Sequence, residues 1–331
     1  MIHPAMAALT LTLLPGQAPD YRAHIREALA WVQSAPGSYV QYDYVVTAAV
    51  RLGLFWLSRD DIGLSYIRMG GDAAGNEFLQ FVLGSDPAKA PLRINRWGAA
   101  TEVVRPREQA SAFFGLMRPT KDSSLEAARG ELAGEGKPGS HQLQGLISRA
   151  DSRGAVSVGR LVSLPQDLNV HQLAVAQALV MGPLASGAAQ PRVLGRAPHG
   201  CHNIPGFLFA VRELLEAAAV AQKAPVARCF VYHSRNYTLT LNHWEPVPEK
   251  KVTVQLRGSP SRIAKTYREL RKAQFQILNH STGSRTSFQI LAGASGALRA
   301  VPVQIEYRPA WWFKLILNLS PGGTGGRRGP V

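Results

Sequence analysis

Near the end of the chain the side chains change character at every second residue. Val301, Val303, Ile305 and Tyr307 alternate with Pro302, Gln304, Glu306 and Arg308. Beyond Pro309-Ala310 the pattern resumes, with Phe313, Leu315, Leu317 and Leu319 set against Lys314, Ile316 and Asn318. Successive side chains of a strand point to opposite faces, so this segment reads as a hairpin with one apolar and one polar surface. Trp311 shares the parity of Phe313 and Leu315 and is expected in the core. Trp312 shares that of Lys314 and becomes a candidate for stacking a planar ligand.

The same alternation recurs upstream. Val40 to Arg51 reads as a long strand, and shorter ones are expected around Leu54–Leu57, Leu64–Met69, Phe78–Leu83 and Leu92–Val104. A clear hairpin joins Leu143–Ala150 to Ala155–Leu164 through Asp151-Ser152-Arg153-Gly154. Helical spacing appears over 20–34, where Asp20 is placed to cap, over 167–184, and over 205–222, with Phe209, Leu214, Leu215 and Ala218 toward a core. Residues 109–117 and 123–132 read as a helical insertion, and residues 261–272 as a basic helix. These elements predict an α+β fold, mainly antiparallel, in two β-rich parts joined by helices. The N-terminal part covers residues 19–185, and the C-terminal helix and meander cover 186–320, with the boundary in the loop 185–200. A Gly/Pro/Arg tail, 321–331, is expected to be disordered.

Residues 1–18 carry a short apolar core ending in Gly16-Gln17-Ala18, which predicts a cleavable leader and export to the periplasm or beyond. The leader lacks Lys and Arg, and Pro19 is unfavourable just after the cut, so a cytoplasmic location is the alternative. In an oxidising compartment Cys201 and Cys229 would form a disulfide worth about 3 kcal/mol. No later apolar run is long enough for a membrane-spanning helix.

The chain lacks the signatures of the nucleophile elbow, the phosphate-binding loop, the zinc protease helix and the dinucleotide fold. No cofactor is expected. His199, Cys201, His202, Cys229 and His233 resemble a metal set, but Cys229 and His233 are four apart on a strand, ~13 Å at ~3.3 Å per residue. No metal site is predicted. An enzyme with a dispersed site would draw its base from His171, His199, His202 or His233.

The net charge is +15, which favours anionic partners without naming one. Five cations, Arg262, Lys265, Arg268, Arg271 and Lys272, fall on the expected helix, around a stripe of Ile263, Tyr267 and Leu270. Arg262, Lys265, Arg268 and Arg271, with Trp312, are therefore the candidate ligand-binding residues. Val252, Val254, Leu256, Phe275, Ile277, Phe288, Ile290, Val303, Ile305, Phe313, Leu315 and Leu317 would form an apolar concave face. Either helices fill that face, which close packing favours, or it encloses an acyl chain with the cations at its rim.

Residues 84–105 (GSDPAKAPLRINRWGAATEVVR) and 298–319 (LRAVPVQIEYRPAWWFKLILNL) resemble an uncharacterised family of exported, β-rich bacterial proteins. The resemblance implies a leader and a β-rich body, and transfers no site residue. The expected function is non-enzymatic: binding of an anionic or lipid-like ligand, or association with the cell envelope through anionic lipid or polysaccharide. A hydrolase-like enzyme and a basic nucleic-acid-binding protein are the alternatives, the latter at odds with export.

Overall fold

In the computed structural model the described residues are 20–34, 39–52, 55–90, 93, 95–118, 142–151, 154–163, 165, 168–186, 192–194, 203–204, 206–220, 225–232, 235–255 and 261–321. Residues 1–18, expected as a leader, residues 123–132, Leu256 and the tail beyond Pro321 lie outside them.

Alternating sequence produces strands throughout. These are β1 (Tyr39–Leu52), β2 (Phe55–Arg59), β3 (Gly63–Gly71), β4 (Glu77–Ser85), β5 (Trp97–Arg105), β6 (Ala110–Arg118), β7 (Gln142–Asp151) and β8 (Gly154–Ser163). They continue as β9 (Arg192–Leu194), β10 (Asn203–Ile204), β11 (Val226–Tyr232), β12 (Arg235–Gln255), β13 (Arg262–Asn279), β14 (Arg285–Gly293), β15 (Pro302–Ala310) and β16 (Phe313–Leu319). Three helices accompany them: α1 (Tyr21–Gln33), α2 (Leu173–Ala185) and α3 (Phe207–Val220).

The two β-rich parts expected from the sequence are one sheet. The strand order runs β10 to β16, then β1, then β3 to β9, with β2 added beside β1. Every pairing is antiparallel except β10 with β11. The join is the β1–β16 ladder, from Tyr44↔Leu319 to Val50↔Phe313. The sheet curls into a nearly closed barrel, and the rings of Phe113 on β6 and Tyr232 on β11 meet edge to face at 5.5 Å. The strand order ends on the short strands β9 and β10, and the expected boundary at 185–200 falls largely outside the described residues. An α+β body of two parts is thus overturned. Alternation marks each strand as two-faced but carries no record of which distant strand it will pair with.

Cross-strand partners share a face, so register separates inside from outside. Leu79, Glu102 and Phe113 are neighbours on the inner face, and Phe78, Val103 and Ala112 on the outer. Helices α1 and α2 cover the outer face of β5–β8, burying Ile25, Leu29, Val180 and Leu184 against Val103, Phe114, Ile147 and Val158. Asp20 accepts from the backbone N–H groups of Arg22 and Ala23, as its capping role requires. Helix α3 lies on the inner face. There Phe209, Leu214, Leu215 and Ala218 pack on Leu79, Phe230, Leu239 and Phe275.

Two expected helices are strands. Residues 109–117 fall in β6, whose burial on both faces removes the polar alternation that would mark a strand. Residues 262–272 fall in β13, laddered to β12 from Arg262↔Gln255 to Lys272↔Glu245 with Glu269 alone skipped. Their helix-like stripe has a local cause: Glu269 takes φ of 53°. That left-handed residue brings Tyr267 and Leu270, three apart, into the same buried cluster. Trp311 is not core but 75 % exposed, because the ladder skips from Tyr307↔Leu315 to Ala310↔Phe313 and leaves both tryptophans in the turn.

Candidate ligand-binding cavity

Helix α3 does not fill the barrel. Between it and the inner faces of β3, β4 and β13–β16 lies a cavity of about 370 Å³. Period-two alternation supplies its walls. Ile67 and Met69 come from β3, Leu79, Phe81 and Leu83 from β4, Ile277, Phe288 and Ile290 from β13 and β14, and Ile305, Leu315 and Leu317 from β15 and β16. Leu208, Val211 and Leu215 of α3 complete the lining. Thr286 and Tyr307 are both exposed and mark the open rim.

Helix α3 is seated by a buried acid. The Glu102 carboxylate of β5 accepts hydrogen bonds from the backbone N–H groups of Leu208 (2.8 Å) and Phe209 (2.9 Å). It caps the helix from across the barrel, where the positive end of the helix dipole favours negative charge. Burial nonetheless dominates and raises its pKa to about 7, against the opposing effect of the backbone donors and Arg212. Gly206 permits the approach, since a Cβ there would sit 2.2 Å from the carboxyl carbon.

Arg212 lines the cavity, but its charge is already met. It pairs with Glu77 and with Glu216 at 3.5 Å, and its guanidinium lies over the Phe209 ring at 4.8 Å. Aromatic rings wall the adjoining interior: Phe207 meets Phe230 at 5.5 Å and Phe288 at 5.9 Å, and Phe275 stacks on Phe288 at 5.0 Å. The chamber therefore offers dispersion and apolar burial, with no uncompensated charge on its lining.

The residues singled out from sequence divide sharply. Ile277, Phe288, Ile290, Ile305, Leu315 and Leu317 do line the cavity. Val252, Val254 and Val303 are buried in the neighbouring cluster with Tyr44, Tyr267 and Leu319. The four cations lie along β13 and none lines the cavity. Arg262 is exposed, Lys265 lies over the Tyr267 ring at 5.3 Å, Arg268 is 3.7 Å from Glu249, and Arg271 lies over Trp244 at 4.1 Å. Trp312 is at the β15–β16 turn, with its ring 5.9 Å from that of Phe313.

Cys229 lies on β11 with its Sγ 3.7 Å from the Thr238 hydroxyl, while Cys201, its expected disulfide partner, lies outside the described residues. So do His199, His202 and His233. His171 is half-exposed, 3.4 Å from Asp86, and does not line the cavity. Among the described residues no cluster of three or more His, Cys, Asp or Glu is placed to hold a metal ion. No described helix is long and apolar enough to cross a membrane. Glu102 and Arg212 were missed from sequence. Glu102 is the one acid in its strand, WGAATEVVR, and follows a run of small residues, Gly98 to Thr101, which was the signal available for it.

No family model matches the chain, and no curated protein is similar to it. Its fold is similar to the crystal structure of a β-barrel-like protein of a domain of unknown function, DUF1849, from Brucella abortus. The match has a TM-score of 0.44 at 11% sequence identity and covers 85% of this chain and 96% of that one.

Proposed function

We propose that the barrel binds an apolar, lipid-like ligand in its interior. The observation that carries this reading is the cavity between α3 and β3, β4 and β13–β16, about 370 Å³ in volume and walled almost wholly by aliphatic and aromatic side chains. That volume falls within the range of small-molecule sites. A ligand of about ten methylenes would gain ~8 kcal/mol in burial, enough to offset much of the cost of association.

The compensated Arg212 makes no demand for an acidic head group inside the chamber. A polar end would instead sit at the rim, near the hydroxyls of Thr286 and Tyr307. Export through the leader at residues 1–18 is part of the proposal, and N-terminal sequencing of the native protein tests it.

Titration with N-phenylnaphthylamine, whose fluorescence rises in apolar surroundings, tests the binding. The native protein should take up the probe, an unlabelled long-chain fatty alcohol should displace it, and Val211→Trp should weaken uptake at least tenfold without loss of fold. No uptake by the native protein, or unchanged uptake by the variant, would overturn the proposal.

A further inference from the structure

The apolar inner face does not end at the cavity's rim. Val46 of β1 is buried, but Val50, further along the same face, is 38% exposed. Val50 pairs with Phe313 on one side and Leu57 on the other, so the three residues share that face. Phe55 follows Leu57 on it. Phe55 and Leu57 are 76% and 61% exposed, and the β15–β16 turn adds Trp311 and Trp312. That turn lies just beyond the pair Tyr307↔Leu315, both of which line the cavity. A continuous apolar track therefore runs from the chamber onto the surface.

Cations flank this track: Arg59, paired with Ala48, lies at its margin on the same face, and Arg51 and Lys314 lie on the opposite face. The Arg51 guanidinium is 6.0 Å from the centre of the Trp311 ring, and the Lys314 ammonium lies over Trp56 at 4.7 Å. The Arg51 backbone N–H donates to the Trp312 carbonyl at 2.8 Å, tying the turn to β1. Exposed apolar clusters of this kind mark interaction surfaces. Tryptophan beside Arg and Lys suits the boundary between lipid head groups and acyl chains. The chain's net charge of +15 favours an anionic surface.

We propose that this apron, formed by Phe55, Leu57, Trp311 and Trp312 with Arg51 and Lys314 behind them, docks on a bilayer containing anionic lipid. Docking sets the cavity's rim at the lipid boundary, where an apolar ligand can enter or leave without crossing water. The purpose of docking rests on the ligand-binding proposal above. The docking itself stands on the exposed aromatics and the cations behind them.

Co-sedimentation with vesicles of phosphatidylglycerol and phosphatidylcholine, and with vesicles of phosphatidylcholine alone, tests it, with quenching of tryptophan by brominated lipid as the second readout. The native protein should partition at least tenfold more strongly onto the anionic vesicles and lose that preference at high salt. The triple change Phe55→Ser, Leu57→Ser, Trp311→Ser and the pair Arg51→Glu, Lys314→Glu should each weaken partition at least tenfold. Val211→Trp should leave it unchanged. Absence of partition by the native protein, equal partition by the triple variant, or dimerisation through these residues in place of partition would overturn the proposal. Partition without probe uptake would sink the ligand reading alone, and probe uptake without partition would sink the docking alone.

Discussion

Glu102 sets two opposing effects against each other at one carboxylate. Backbone donors at the start of α3 favour its charge, yet complete burial outweighs them and raises its pKa to about 7. The folded state therefore binds a proton up to about pH 7, whereas the unfolded chain releases it near pH 4.5. By linkage this stability is fully present below about pH 4.5 and is lost as pH rises through 7. The window corresponds to ~3 kcal/mol at ~1.4 kcal/mol per pH unit. Glu102→Gln keeps an acceptor for the helix N–H groups and removes the titration. Denaturant melts of both proteins between pH 4 and 8 should show a difference that moves in the variant's favour as pH rises and levels off above pH 7. A pH-independent difference would refute the account. Leu214, wholly buried on the same helix, gives a simpler prediction: Leu214→Ala should cost ~2–5 kcal/mol in the same melts.

Elements bounded by local chemistry were legible in the sequence. Helix α1 follows its Asp20 cap, α3 its apolar spacing, and the β7–β8 hairpin its Asp-Ser-Arg-Gly turn, with Asp151↔Gly154 closing the ladder. Half of the expected concave face, from Ile277 to Leu317, does wall the cavity, because strand parity alone assigns it. The basic helix was misread because Glu269 breaks that parity from within, which a pattern of residue types does not reveal. Glu102 and Arg212 could not be placed because their partners are far away in sequence. Close approach between elements is similarly hidden. Helix α2 rests on β7 at Gly145, where a Cβ would come within 1.9 Å of Val180. Gly145→Ala should therefore lower stability by ~1–3 kcal/mol through overpacking, and the double change with Val180→Ala should recover part of it. Equal melting temperatures for Gly145→Ala and the native protein would show that α2 is not held there.

At the scale of the whole molecule, the β1–β16 ladder decides whether the barrel behaves as one body. Tyr44, Val46, Leu317 and Leu319 share a buried inner cluster across it, and the Tyr44 hydroxyl donates to the Pro302 carbonyl at 2.8 Å. Strand β1, from the first sixth of the chain, thus joins β3–β9 to strands β11–β16 from its last third. A cavity walled from both halves, by Ile67 and Leu83 as well as by Ile305 and Leu315, exists only while that ladder is closed. Two independent parts would melt in two steps, and damage to one would spare the other. A single closed sheet instead predicts one cooperative transition, seen alike by far-ultraviolet circular dichroism and tryptophan fluorescence. Leu317→Ala, with a side chain 2% exposed in this ladder, should move that whole transition by ~2–5 kcal/mol. It should also weaken probe uptake, since Leu317 lines the chamber. Two transitions, only one of them shifted by Leu317→Ala, would show that the halves fold separately.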